Sequence, residues 1–213
     1  MTVKQAIPGE GCDVNQQLSG AQAAELVKAV MSFVIRYLPR TAALVEGNLT
    51  AAEMAAILGS GLNLMAVQHC PEPGWSPSTA LGDQYGTFAG QYAKSIGYPA
   101  GAPIYLDLET PATTGTAQDA QDCINYVAAW FSAVEGAGYF AGLYIGYGVP
   151  LTPRQLYDLP VKSYWSAYNY NDGVATRGLQ IVQHVQKTIA RLLVNPDTIQ
   201  ADELGDLPIW VSP

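Results

Sequence analysis

VKSYWSAYNYNDGVATRGLQIVQHVQKTIARLLV, residues 161–194, holds three strand-like runs with no helical stretch of normal length between them. The runs are VKSYWSAY (161–168), LQIVQHVQ (179–186) and ARLLV (190–194), and only a short LTPRQLYDL turn precedes them. Everything upstream reads differently, as strands and helices in alternation, which is the pattern of a parallel sheet. Five such units followed by three bare strands supply eight strands, enough to close a barrel. The expected fold is therefore α/β, an irregular TIM-like (β/α)5β3 barrel formed by residues 1–213 as a single domain.

The five units are read from periodicity and punctuation. GCDVN (11–15) is a short strand, followed by Ser19 as a cap residue and AQAAELVKAVM with apolar residues at helical spacing. FVIRYL (33–38) precedes a helix opened by Thr50–Ala51–Ala52–Glu53, a capping box, and stopped at Gly59 or Gly61. LNLMAVQH (62–69) leads through a Pro/Gly/Trp loop to an Ala/Tyr-rich helix from about residue 83 to 96. PIYLDLE (103–109) is the fourth strand, a long helix begins at AQDAQD, and YFAGLYIGYG (139–148) is the fifth strand.

Composition narrows the partners. Ten Lys and Arg against 18 Asp and Glu leave a net charge of −8, whereas nucleic acid and anionic membranes reward basic patches. No stretch approaches 18 apolar residues, so no membrane insertion is expected, and MTVKQAIPGEGCDV lacks the apolar core of a signal peptide. The expectation is cytoplasmic synthesis, with delivery to any outside target by phage lysis or a secretion system. Cys12, Cys70 and Cys123 are odd in number and form no CxxC pair, so they read as free thiols, and neither a metal nor a cofactor is expected.

In such barrels the working side chains sit at the C-terminal ends of strands. Polar residues interrupt the apolar runs there: Asp13; Arg36 and Tyr37; Gln68 and His69; Asp107 and Glu109; Tyr144 and Tyr147; Trp165, Tyr168 and Asn169; Gln183 and His184. Asp107 and Glu109 are two apart, so a strand directs both to one face. Carboxylates ringed by Tyr and Trp suit sugar chemistry, because acids protonate a leaving oxygen and aromatic faces stack on sugar rings. Spacing alone leaves ordinary strand-end polarity open for Asp107 and Glu109. His69 and His184, the only two histidines, lack spaced partners and read as core or rim residues.

Taken in order, these pieces resemble the glycoside hydrolase family 25 lysozymes, and within that superfamily the glycoside-hydrolase-like domains of actinobacterial and phage proteins. GCDVN is similar to the opening G-x-D-V-S/N strand, and FVIRYL, LTAAE and GLNLMAVQ to the second and third units. IYLDLE matches the D-x-E strand, GYFAGLYIGYG the G-Y-x-x-G-x-Y strand, and YWSAYNY the W-x-A-x-Y segment. The resemblance implies hydrolysis of the β-1,4 bond after N-acetylmuramic acid in peptidoglycan glycan strands. It implies Glu109 as general acid, Asp107 orienting or stabilising the reactive acetamido group, and Asp13 completing an acidic floor. Tyr37, Gln68, Tyr144, Trp165, Tyr168, Gln183, Asn195 and Asp197 would line the substrate. The family's last acid lies in a V-D-x-N motif, where this chain reads Val194, Asn195, Pro196, Asp197. That departure keeps two other readings open: a glycan-binding barrel impaired in catalysis, and a structural domain of a phage or secreted assembly with a delivery or immunity partner.

Overall fold

The computed structural model describes residues 1–43 and 47–213. The first half runs β1 (Thr2–Gln5), β2 (Gly9–Val14), α1 (Gly20–Lys28), β3 (Phe33–Leu38), α2 (Ala51–Gly59), β4 (Asn63–Gln68), α3 (Thr79–Ser95) and β5 (Pro103–Leu108). The second runs α4 (Ala117–Gly136), β6 (Phe140–Ile145), α5 (Pro153–Tyr157), β7 (Tyr164–Ser166), β8 (Ile181–Gln183), β9 (Lys187–Ile189), β10 (Leu192–Ile199) and β11 (Ile209–Ser212).

Strands β4-β3-β2-β10-β8-β7-β6-β5 pair in that order, and β5 pairs back onto β4 to close an eight-stranded barrel. The seven strands from β2 to β8 run parallel, while β10 is antiparallel to both its neighbours, β2 and β8. The reason is chain length: a parallel return needs a crossover of a dozen or more residues. The link from β8 to β10 is shorter and is folded into the β9–β10 hairpin, whose turn residues Ala190 and Arg191 both have positive φ, as a tight two-residue hairpin turn requires. Ala190 and Arg191 thus lie in a turn, and the last barrel strand extends to Ile199.

Alternation along the strands sorts two cores. Phe33, Ile35, Met65, Val67, Tyr105, Trp165, Ile181 and Ile199 fill the barrel interior. Their neighbours in sequence, such as Val34, Leu64, Ala66, Ile104, Leu106 and Leu143, pack outward against the helices. The sequence reading contains neither β1 nor β11, which pair with each other and join the barrel through Val211 opposite Leu64 on β4. They carry Trp210 into the interior beside Phe33, ring centroids 6.2 Å apart.

Two local expectations change. At α2, Thr50 Oγ1 accepts the Glu53 amide at 3.2 Å, but the Glu53 carboxylate does not return to the cap. It is buried instead, paired with Arg36 Nε at 2.6 Å and accepting the Leu18 amide at 2.7 Å. Only half of the predicted capping box forms. The stretch read as a turn before the sixth barrel strand contains the short helix α5, capped by Thr152 with Pro153 in its first turn.

Candidate functional site

The C-terminal ends of the parallel strands open into two adjoining cavities. One, about 340 Å3, is lined by Asp107, Glu109, Tyr37, Tyr144, Tyr168 and Gln183, among others. The other, about 760 Å3, runs past Asp13, Asn15 and Gln17 to Gly47, and the two share Tyr37, Gln186 and Asn195. Together they form a groove across the barrel mouth.

Asp13 ends β2 facing inward and is held by three neutral donors from three other strands. Tyr37 Oη (2.9 Å) and Asn195 Nδ2 (3.0 Å) donate to Oδ1, and Gln183 Nε2 (2.7 Å) donates to Oδ2. Gln183 Oε1 in turn accepts from Tyr144 Oη at 3.1 Å. Burial raises the Asp13 pKa above the usual carboxylate range, against the opposing pull of these hydrogen bonds.

Asp107 and Glu109 line the smaller cavity from the end of β5. Asp107 is more than nine-tenths buried. Its Oδ2 accepts the Cys70 amide at 3.3 Å, while its Oδ1 has no hydrogen-bond partner among the described residues. Burial and then the nearby Glu109 charge push the Asp107 pKa well above the usual carboxylate range. Glu109 falls one residue beyond β5 and is partly exposed. Its backbone carbonyl accepts Trp75 Nε1 at 2.9 Å, and Gly146 faces its side chain so closely that a methyl there would meet Glu109 Cβ at 2.2 Å. Thr110 follows at φ +49°, a left-handed conformation uncommon for a β-branched residue, and its amide donates to Tyr147 O at 2.7 Å.

Three expected ligand contacts sit elsewhere. Trp165 is buried beneath the mouth, packed edge-on to Tyr144 with centroids 4.4 Å apart, and its Nε1 donates to Asp197 Oδ1 at 2.8 Å. Asp197 is fully buried two residues below Asn195 on β10, its pKa raised by burial and by the Asp13 charge. Gln68 points outward, away from the barrel mouth: it donates to Pro39 O and Tyr85 O and accepts Trp130 Nε1 at 2.7 Å. The inward positions of β4 are Met65 and Val67, so a residue in register with Ala66 faces the helices. Tyr37, Tyr144, Tyr168, Gln183 and Asn195 do line the cavity.

His69 packs at a tilt against Tyr37, ring centroids 4.5 Å apart, and burial with the Arg40 and Arg36 charges lowers its pKa to about 4, leaving a neutral ring. His184 pairs with Thr198 Oγ1 at 2.8 Å on the rim. Cys70, Trp75 and Gly146 also touch the two acids, and no motif in the sequence marks them. A cysteine isolated in sequence carries no spacing signal, and its proximity to the β5 acids arises from barrel closure alone. All three cysteines are free thiols.

The Rv2525c-like, glycoside hydrolase-like domain family matches residues 24–197. No curated protein matches the chain. Among solved structures, the Mycobacterium tuberculosis Tat-secreted protein Rv2525c, in complex with L-tartrate, is 15% identical with a TM-score of 0.68, covering 93% of this chain and 98% of that one. A family 25 glycosyl hydrolase from Bacillus anthracis is 14% identical with a TM-score of 0.58, covering 92% and 90%. The modular autolysin LytC from Streptococcus pneumoniae, in complex with a synthetic peptidoglycan ligand, is 12% identical with a TM-score of 0.64, covering 91% of this chain and 47% of that one. At such identities the likeness shows a shared fold. Among the described residues no helix is long and apolar enough to cross a membrane.

Proposed function

Since the chain belongs to the Rv2525c-like glycoside hydrolase-like domain family, we propose that it hydrolyses the β-1,4 bond after N-acetylmuramic acid in peptidoglycan. The observation that carries this reading is the buried Asp107 beside the more open Glu109, both lining one cavity floored by Asp13's network. Two carboxyl groups this close in a partly dry site resist ionising together, so the pair retains a proton.

At rest that proton sits on Asp107, whose pKa burial and the Glu109 charge raise; in the proposed reaction it passes to Glu109, which faces the open cavity and delivers it to the glycosidic oxygen as the bond to the leaving sugar breaks. Asp107 is then the charged partner. A carboxylate whose pKa is raised is a strong hydrogen-bond acceptor, suited to hold the substrate's acetamido N–H while positive charge develops at the anomeric carbon. Water completes the reaction and returns a proton to Glu109. Tyr144 and Gln183 hold the floor, and the exposed face of Tyr168 offers a stacking surface at the rim. Action outside the membrane is consistent with a relative described as Tat-secreted.

The test is incubation with purified peptidoglycan and mass spectrometry of the released fragments. New reducing ends at N-acetylmuramic acid are expected. Glu109→Gln should lower turnover by about 10²–10⁴-fold while glycan pull-down persists, and Asp107→Asn should also impair it. Undiminished release by Glu109→Gln would sink the assignment.

A second reading, a glycan-binding barrel that does not cleave, draws on Asn195. Its amide donates to Asp13 where the resemblance to the family 25 lysozymes implies an acid, and Tyr37 and Gln183 complete the neutral donors that tie Asp13 up. Glycan retention without hydrolysis by the wild type across several peptidoglycan types would favour it.

A further inference from the structure

We propose that Cys70, Asp107 and Glu109 form a binding site for a zinc-class divalent cation at the edge of the barrel mouth. The thiol and one oxygen from each carboxylate lie within 4.8 Å of one another. Cys70 Sγ is 3.5 Å from Glu109 Oε1. A tetrahedral ion with ordinary Zn–S and Zn–O bonds places those two ligand atoms about 3.6 Å apart, so the pair already stands at the edge length such an ion needs.

The second observation is independent of the spacing. Asp107 is buried, yet among the described residues its Oδ1 has no hydrogen-bond partner. An orphaned carboxylate oxygen in a buried site is costly, and a cation is the ligand that satisfies it most completely. The donor set is one sulfur and two oxygens, which favours a borderline-soft ion over Mg2+ or Ca2+. Three protein ligands also leave a fourth position toward the cavity that Asp107 and Glu109 line. Without an ion the thiol stays protonated, because burial and both carboxylates raise its pKa. Binding replaces that proton: the S–H bond breaks, a sulfur–metal bond forms, and the proton leaves to solvent.

The binding itself does not depend on hydrolytic activity. One consequence does rest on the hydrolytic reading: an ion on Glu109 occupies the oxygen that would deliver the proton, so the loaded protein is the inactive form.

The experiment reads binding alone. The full chain, stripped of metal by a chelator and exchanged into chelator-free buffer, is titrated with Cd2+ and with Zn2+. Ultraviolet absorption follows the cadmium–thiolate charge-transfer band, and calorimetry gives stoichiometry. One equivalent with a thiolate band is expected. The band should vanish in Cys70→Ala, and affinity should fall at least about tenfold in Asp107→Asn, with circular dichroism confirming that both variants are folded. Absence of the band in the wild type overturns the site. So does a band that persists in Cys70→Ala, which would place the ion on Cys12 or Cys123.

Discussion

Glu109 sits one residue past its strand, and what fixes it there is a neighbour with no side chain. Gly146 leaves just the room that the Glu109 side chain fills; an added methyl would lie 2.2 Å from Cβ and 2.7 Å from Oε2. Gly146→Ala should therefore displace the carboxyl group while the strands stay paired. Under the hydrolytic reading, muropeptide release should fall by about 10²-fold, since an error of about 1 Å in a catalytic group has that effect. The midpoint of chemical denaturation should move much less. Turnover equal to wild type would show that Glu109 tolerates displacement and is not the acid. At this scale the acids Asp107 and Glu109 were legible from their spacing, because period-two alternation is a property of the strand alone. The depth of Trp165 and Asp197 was not. Alternation names the face of a residue, whereas depth depends on where the barrel mouth lies.

Among the helices, α3 and α4 pack against each other most extensively, and a glycine row on α3 permits it. Cβ atoms built on Gly82, Gly86 and Gly90 would fall 2.3 Å from Tyr126 O, 2.6 Å from Trp130 O and 2.5 Å from Ala137 Cβ, respectively. The spacing of four residues puts all three on one helical face. Alanine normally improves a helix interior by about 1 kcal/mol over glycine, so the sign of Gly86→Ala tells which effect wins. Because the contacted atoms at Gly86 are mostly backbone of α4, overpacking should dominate and cost about 1–3 kcal/mol, read as a lower Tm. Gly136→Ala supplies the contrast: it lies in a helix with no atom of the described residues within 4 Å of the built Cβ, and its Tm should hold or rise. Equal shifts in the two variants would refute the close-packing account. The glycines were visible in an Ala/Tyr-rich stretch, but a helix that needs glycine for its partner looks the same in sequence as one that merely tolerates it.

For the whole molecule, three buried carboxyl groups converge in the barrel: Asp13, Asp107 and Asp197, each with its pKa raised first by burial. A group whose folded pKa exceeds its unfolded value contributes stability that is complete below the unfolded pKa and is lost as pH rises through the folded one. Asp119, at the start of α4 and held down to about 2 by the Thr116 and Thr114 amides, acts in the opposite direction but only in strong acid. The net charge of −8 adds self-repulsion on the alkaline side. The denaturant midpoint should therefore be higher near about pH 5 than near about pH 8, and Asp197→Asn should shrink the difference. A midpoint that climbs toward alkaline pH would contradict this placement of charge. The sequence by itself determined the eight-strand count, the change from βα units to bare strands, and the inward pairing of Asp107 with Glu109, because periodicity, helix caps and turn residues act over a few residues. The tertiary structure alone decided that β1 and β11 join the barrel, that Gln68 faces the helices, and that Cys70 stands beside the acids. Those outcomes depend on barrel closure, which brings together segments far apart in the chain with no local signal to mark their meeting.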